Sequence, residues 1–286
     1  MFRLVKIVIF AAMSVYKASV IISTYNQPEW LEKVLWGYEL QTESNFEVII
    51  ADDGSGVSTQ QLITKFKETS HLKITHVWQE DDGFRKTKIL NKAILKTTSD
   101  YLIFTDGDCI PRSDFVETHL KLKTSNTFLS GGYFKLPEHI SNVISKEDIV
   151  SQRCFQLEWL LNNGLKKSFK TNKLTADGMK SWLLNTFTPT KATFDGMNVS
   201  GWKQAILDVN GFDERMQYGG EDREIGERLV NNGIKFKQVR YSTICVHLHH
   251  DRPYKNEEVI KFNKAIRKAT KTNKHKITKF GIKKYK

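Results

Sequence analysis

Tyr101-Leu102-Ile103-Phe104-Thr105-Asp106-Gly107-Asp108 reads as an apolar strand that ends in two carboxylates. Asp106 and Asp108 stand at i and i+2, so on an extended segment their side chains point the same way. The apolar run behind them holds that edge rigid. Hard oxygen ligands of this kind suit Mg²⁺ or Mn²⁺, ions that keep several waters and bind substrate phosphates.

Outward from this strand the chain repeats one pattern. Residues 18–23 read as a buried strand, and Pro28 opens a helix whose Leu31, Val34, Leu35 and Tyr38 share one face. Residues 46–51 form a second buried strand ending in Asp52-Asp53-Gly54-Ser55, with a helix over 59–68. Residues 72–78 give a third strand, 86–96 a third helix and 101–105 the fourth strand. Such alternation predicts an α/β fold with a mainly parallel sheet covered by helices on both faces. In these sheets ligands bind beyond the carboxyl ends of the strands. Ser23-Thr24, Asp52-Asp53 and Asp106 to Asp108 all occupy those ends, so three polar clusters converge on one rim. The second half is less regular. Residues 140–190 are rich in Lys, Asn and Trp and are expected to form helices and loops over the sheet; 194–200 reads as a short strand. Residues 221–229 read as a helix with acids in its first turn, where the dipole favours them.

The chain has 286 residues, 40% of them hydrophobic, which supports one large domain or two tightly joined ones with a substantial core. We divide it into an N-terminal extension (1–17), two halves of one domain (18–130 and 131–255) and a basic tail (256–286). Cys109, Cys154 and Cys245 are widely spaced and odd in number, so a disulfide framework is not expected and a reducing, cytoplasmic compartment is. The net charge is +12, but residues 261–286 hold 11 Lys or Arg and no acid. The body is therefore nearly neutral, which argues against a nucleic-acid-binding surface. In the tail, Val259, Phe262, Ile266 and Ala269, then Ile277 and Phe280, carry apolar groups at helical spacing. Three readings follow: peripheral contact with an anionic membrane on its inner face, a solvated end, or, less favoured, contact with nucleic acid. Residues 1–12 are apolar but broken by Arg3 and Lys6, a poor secretory signal, and Met13 is a candidate start. No later stretch approaches the 18 apolar residues of a spanning helix.

Four further motifs carry chemistry. Gly54-Ser-Gly56-x-x-Thr59 follows a strand but has Thr where a dinucleotide fingerprint needs Gly or Ala. A tight turn accounts for its glycines, and an Asp accepting hydrogen bonds from a base or ribose is the functional reading. In Glu80-Asp81-Asp82-Gly83-Phe84-Arg85-Lys86, the Arg85 fork suits a diphosphate, unless the segment is only a surface charge cluster. In Tyr218-Gly219-Gly220-Glu221-Asp222, helix capping explains one acid but not two, and a carboxylate there can take a proton from an attacking hydroxyl. In His247-Leu248-His249-His250-Asp251, one imidazole can complete a metal shell with Asp106 and Asp108, and HExxH zinc spacing is absent.

Taken in order, these motifs resemble the family 2 glycosyltransferases of GT-A fold. The carrying residues are Val20-Ile-Ile-Ser-Thr-Tyr-Asn26, Phe46-Glu-Val-Ile-Ile-Ala-Asp-Asp-Gly-Ser55, Asp82-Gly-Phe-Arg-Lys-Thr-Lys-Ile-Leu-Asn-Lys-Ala93 and Thr105-Asp-Gly-Asp108. Asn210-Gly-Phe-Asp-Glu214 through Tyr218-Gly-Gly-Glu-Asp222 resembles the galactosyltransferase-type region also found in chondroitin-polymerase-like enzymes. The resemblance covers roughly 18–255. It implies a metal-dependent, inverting hexosyltransferase that moves a sugar from a nucleotide-diphosphate donor, a UDP-sugar first, to a saccharide hydroxyl. The acceptor would be lipid-linked if the tail does bind membrane, and the product a surface polysaccharide.

The same resemblance implies roles. Ser23, Thr24 and Tyr25 line the nucleotide pocket, with Asp52 and Asp53 beside them and Asp53 accepting from the base. Arg85 contacts the diphosphate, helped by Lys88 because Leu90 stands where some relatives carry Arg. Asp106 and Asp108 are the DXD motif, with Asp108 the direct ligand of Mn²⁺ or Mg²⁺; Asp106 also meets the nucleotide sugar. His247 is the first choice for the metal-side His and His250 the second. Tyr218, Gly219 and Gly220 bind acceptor, Glu221 holds its sugar and Asp222 is the general base. Tyr218 replaces the usual Trp of that run, which leaves an aromatic platform but puts acceptor identity in doubt. The competing readings are a sugar nucleotidyltransferase, which lacks support because no glycine-rich, Lys-containing loop follows the first strand, and a non-catalytic nucleotide-sugar or glycan-binding protein.

Overall fold

A computed structural model describes residues 15–251 and 254–284. Among them run ten strands: β1 (Ala18–Thr24), β2 (Phe46–Asp52), β3 (Ile74–Trp78), β4 (Tyr101–Asp106), β5 (Cys109–Pro111), β6 (Thr127–Ser130), β7 (Gly132–Lys135), β8 (Asn198–Trp202), β9 (Lys235–Gln238) and β10 (Ile244–His247). The main sheet has the order β3-β2-β1-β4-β8-β6-β9. Its first four strands are parallel, as the alternation predicts. β8 then enters antiparallel between β4 and β6, and β9 pairs parallel with β6. A small second sheet, β5-β10-β7, sits beyond the end of β4. The extension 1–17 is described only from residue 15, so Met13 and the apolar residues before it lie outside the described part.

The inner strands are apolar without a break because both faces are covered. Val20, Ile22, Val48, Ile50 and Ile103 pack with Leu31, Val34, Leu35 and Tyr38 of helix Pro28–Glu39. Their alternate neighbours Ile21, Ile49, Ala51, Leu102 and Phe104 pack on the opposite face, against Ile89, Leu90, Ala93 and Ile94 of helix Lys86–Lys96. All three cysteines are free and buried within this framework. No helix among the described residues is long and apolar enough to cross a membrane.

Two expectations change. The strand placed at 194–200 begins at Asn198, because the Asn198 amide donates back to the Asp195 carbonyl at 3.0 Å and closes a turn; Phe194 is a core side chain, not a strand residue. The basic tail is neither a loose end nor a detachable segment. Helix Glu257–Thr272 lies along helix Glu221–Asn231. Its fully buried positions are polar, which apolar spacing does not reveal: Asn263 and Thr270 are buried, Val259, Ile266 and Ala269 are half-buried, and Phe262 stays exposed. Thr270 Oγ1 donates to Glu224, Arg267 Nε to Glu227, and downstream Thr278 Oγ1 to Asp213.

Candidate active site

Strand register builds the site. Ser23 of β1 pairs with Asp106 of β4, and Thr24 pairs with Asp52 of β2, so the polar ends finish at one level. Above them opens a cleft of about 610 Å³, within the range of small-molecule sites. Its floor is fixed by the Ser23 hydroxyl, which donates to Asp106 at 2.6 Å, and by the Gly107 amide, which donates to the Ser23 carbonyl at 2.8 Å.

On the first side Ser23, Thr24, Tyr25 and Asp53 line the cleft. The Asp53 carboxylate accepts from Gln79 Nε2 at 2.6 Å and from the Arg85 amide at 2.8 Å. Burial pushes its carboxyl up to about 6. The exposed Tyr25 hydroxyl donates to Asp81 at 2.8 Å, and that bond, with partial burial, raises the phenol.

Three residues expected here do not reach the cleft. Asp52 is fully buried and serves the turn: it accepts from the Ser55 amide at 2.8 Å and faces His76 Nε2 at 2.9 Å. The Arg85 guanidinium turns outward to Asp82 at 3.0 Å. Lys88 is exposed on the far side of its helix. The cation that does reach the cleft is Lys86, about 200° around the helix from Lys88. Its Nζ is 2.6 Å from Asp106. Burial alone would lower this ammonium, but Asp106, Glu221 and Asp222 outweigh it and hold the group above the ordinary lysine value. Asp106 is likewise kept below its ordinary value, with Lys86 overcoming the effect of burial. In the sequence Lys86 is visible only as a basic residue beside Arg85; its partner Asp106 is 20 residues away in the chain.

Next to Asp106, the second sheet brings β10 beside β5, with His247 opposite Cys109. Asp108 Oδ2 lies 3.8 Å from His247 Nε2 and 3.1 Å from His250 Nε2. Each imidazole turns its Nδ1 to a backbone carbonyl, His247 to Leu248 at 2.7 Å and His250 to Asp251 at 2.9 Å. A carbonyl only accepts, so Nδ1 carries a proton, and Nε2 is the ring atom left to face Asp108 or an ion placed between them. Cys109 is close enough to join Asp108 and His247 around an ion. Burial pushes its thiol far above the ordinary value, and Sγ lies 3.4 Å from Asp108 Oδ1. The oxygen and nitrogen atoms by themselves form a set that fits a divalent cation, centred on Asp108 with both histidines facing it. Asp106 instead spends one oxygen on Ser23 and Lys86.

The far wall comes from the Tyr218-Gly-Gly turn and the helix it starts. Gly219 and Gly220 both have positive φ, +112° and +90°, which favours glycine at each. The Gly219 amide donates to Glu221 at 3.0 Å. Burial, then the neighbouring Asp222, pushes the Glu221 carboxyl up to about 7. Asp222 accepts from the Arg223 amide at 2.7 Å and sits 3.5 Å from the Gly196 amide, with its side chain partly open to the cleft. Tyr218 packs with Phe84 and Tyr254 at ring distances of 4.8 to 5.7 Å, an aromatic cluster at the mouth. Asp195 is a third acid on this wall, pushed up to about 6 by burial and by Asp222. Asn263 of the C-terminal helix donates from Nδ2 to the carbonyls of Gln217, Tyr218 and Gly219 at 3.1 to 3.2 Å. Sequence reasoning missed Lys86, Asp195 and Asn263, none of which stands in a motif that names its partner.

Comparison with known proteins agrees with the motif reading. Residues 19–143 match the glycosyl transferase family 2 model, and residues 187–251 match the model described as the N-terminal domain of galactosyltransferase. A chondroitin synthase of Escherichia coli is 27% identical over 237 residues, covering 77% of this chain but 33% of that protein. The uncharacterized glycosyltransferase YfnE of Bacillus subtilis is 29% identical over 275 residues, 86% of this chain and 68% of its own length. Among solved structures, a mannosyltransferase of Pyrobaculum calidifontis in complex with GDP-Man and Mn²⁺ superposes with a TM-score of 0.54 at 19% identity, covering 91% of this chain and 62% of that one. S. aureus TarS 1-349 in complex with UDP-GlcNAc gives 0.57 at 16% identity, covering 90% and 69%. The fold is GT-A, as expected.

Proposed function

From the premise that this GT-A chain resembles family 2 over 19–143 and the galactosyltransferase type over 187–251, we propose an inverting, metal-dependent hexosyltransferase. The observation that carries this is the meeting of Lys86, Asp106, Asp108, Glu221 and Asp222 on one cleft of about 610 Å³. The donor is a nucleotide-diphosphate sugar. Asp53, with a lone pair left on each oxygen, accepts from the base, a uracil first. Lys86, rather than Arg85 or Lys88, meets the diphosphate. The acceptor hydroxyl lies against Glu221, and its sugar ring against Tyr218. Its oxygen attacks the anomeric carbon as the bond to the departing phosphate breaks; the electron pair leaves with the diphosphate and the proton passes to Asp222. One displacement inverts the centre. Mn²⁺ or Mg²⁺, held by Asp108, His247 and His250, supplies charge stabilisation for the diphosphate when bound. The mixed imidazole and carboxylate set favours Mn²⁺.

The role follows the same reading: extension of a saccharide, lipid-linked, toward a surface polysaccharide. It is supported by the likeness to chondroitin synthase, although the chain spans a third of that protein. Free cysteines suit the cytoplasm, and Lys261, Lys264, Lys268 and Lys271 stay exposed for contact with the inner face of an anionic membrane. The deciding experiment incubates the protein with Mn²⁺, a panel of nucleotide sugars and saccharide acceptors, and reads the anomeric configuration of the product by NMR. Transfer with inversion is expected. Glycan binding with only slow donor hydrolysis would favour a binding protein, and pyrophosphate release from a nucleoside triphosphate a nucleotidyltransferase.

A further inference from the structure

Helix Gly178–Phe187 is turned inside out. Met179, Trp182, Leu183 and Phe187 fall on one face at helical spacing, and that face points to solvent. Their exposures are 77%, 61%, 41% and 71%. The face turned to the body is polar. Ser181 is buried there, and Asn185 accepts from the Tyr241 amide at 2.9 Å and donates to Ser242 at 2.9 Å. A surface helix ordinarily does the reverse. Phe169, 65% exposed, adds a further aromatic ring just upstream.

The charge along this stretch of the chain is almost all of one sign. Lys166, Lys167, Lys170, Lys180 and Lys191 are exposed, and Asp177 is the one acid between Glu158 and Asp195. We infer that this helix is an interfacial anchor, with its Trp, Met and Phe side chains seated at the headgroup level of an anionic bilayer and its lysines on the phosphates. Exposed aromatic and aliphatic side chains flanked along the chain by lysines suit the interface of an anionic bilayer. A second copy of the chain is a poor occupant, because a two-fold pairing of this patch would bring the two sets of lysines together. The position also suits an acceptor that arrives on lipid. The segment leads directly into Asp195 and Gly196 on the cleft wall, and Lys173, between the exposed lysines, donates to the carbonyl of Tyr133, whose ring lies 5.8 Å from that of His247. Vesicle binding is read without turnover, so this inference stands or falls apart from the reaction proposed above.

The test is flotation of the full chain with phosphatidylglycerol-containing vesicles against pure phosphatidylcholine, for the parent, for Met179→Ser/Trp182→Ser/Phe187→Ser, and for Lys167→Glu/Lys180→Glu. All substituted side chains are exposed and outside the cleft. The parent should float with the anionic vesicles, and each variant should lose at least about tenfold in partition at an unchanged melting temperature. Variants that float like the parent overturn the inference, whether or not charge reversal at Lys264 and Lys268 removes binding. Equal flotation of the parent on neutral vesicles, or self-association that the serine variant abolishes while no vesicle binding is seen, also overturns it.

Discussion

Lys86 Nζ stands 2.6 Å from Asp106 Oδ1, and the same oxygen accepts the Ser23 hydroxyl at 2.6 Å. This ties the first aspartate of the Asp106-Gly-Asp108 pair to a cation and to β1, and leaves Asp108 to face the two imidazoles. The two carboxylates therefore have different work: Asp106 ends β4, whereas Asp108 lies in the turn after it, so the expected extended segment stops short of the second carboxylate.

Lys86→Ala should lower kcat/KM on the order of 10²-fold, through loss of positive charge where the diphosphate departs. Lys86→Arg should recover part of it. Arg85→Ala should cost far less, because its guanidinium points away to Asp82. Steady-state kinetics on the three variants checks this, and a larger loss at Arg85 than at Lys86 would restore the assignment that the motif alone suggests.

Asp108→Ala should abolish the gain in donor affinity on adding Mn²⁺, and His247→Ala and His250→Ala should each weaken it roughly tenfold or more. Calorimetry of donor binding with Mn²⁺ and with chelator reads this directly. A His250→Ala protein with unchanged metal dependence would return the shell to His247 and Asp108.

Asp222→Asn should reduce kcat by about 10²- to 10⁴-fold with little change in donor affinity, since a base acts on the acceptor proton alone. The amide keeps the shape of the carboxylate beside the Arg223 and Gly196 amides, so folding should survive. Single-turnover rates with saturating donor separate the chemical step from binding.

The pH behaviour of stability follows from Glu221. Its folded carboxyl titrates near about 7, above the unfolded value of about 4.3. The folded state then binds more protons than the unfolded one between these values, so its contribution to stability is complete below about 4.3 and is lost as pH rises through about 7. Asp53 and Asp195 are pushed up to about 6 and add slope of the same sign. Glu221→Gln cannot ionise. Its melting temperature should fall less than that of the parent between pH 5 and 8 in metal-free buffer, with the difference largest above 7. Parallel curves would mean that Glu221 ionises normally.

How much of this was legible in the sequence depends on whether a residue's direction is set locally. Strand ends announce themselves: unbroken apolar runs that stop in polar residues put Ser23, Thr24, Asp53, Asp106 and Asp108 on one rim. Asp52 stands in register with Thr24 but is held away from the cleft by the Ser55 amide and His76, partners that strand alternation does not reveal. Lys86, by contrast, opens a helix whose bounds match the expected 86–96, and its direction is set by partners distant in the chain, Asp106, Glu221 and Asp222. Asp195 depends on a turn before β8 that the apolar Phe194 disguised as strand. The packing of the tail on the body was not legible, because its fully buried contacts are the polar Asn263 and Thr270 rather than the apolar residues whose spacing marks the helix.

That polar contact gives the last prediction. Asn263 is fully buried, and its amide donates to the carbonyls of Gln217, Tyr218 and Gly219. Those carbonyls belong to a turn whose glycines both have positive φ, with Ile260 and Arg267 of the same C-terminal helix within about 3.2 Å of where a Cβ would stand. The turn carries Tyr218 and leads into Glu221 and Asp222. Asn263→Ala removes the donors and leaves three carbonyls without this partner, at a cost of about 1–3 kcal/mol. If the amide only held the helix down, that loss of melting temperature would be the whole effect. Because it fixes the turn, acceptor KM should rise and kcat should fall at a temperature where the variant is fully folded, while donor affinity with Mn²⁺ stays within about twofold. Asn263→Gln, which keeps an amide on a longer arm, should recover part of kcat. A variant with normal acceptor kinetics and only a lower melting temperature would reduce Asn263 to a packing residue.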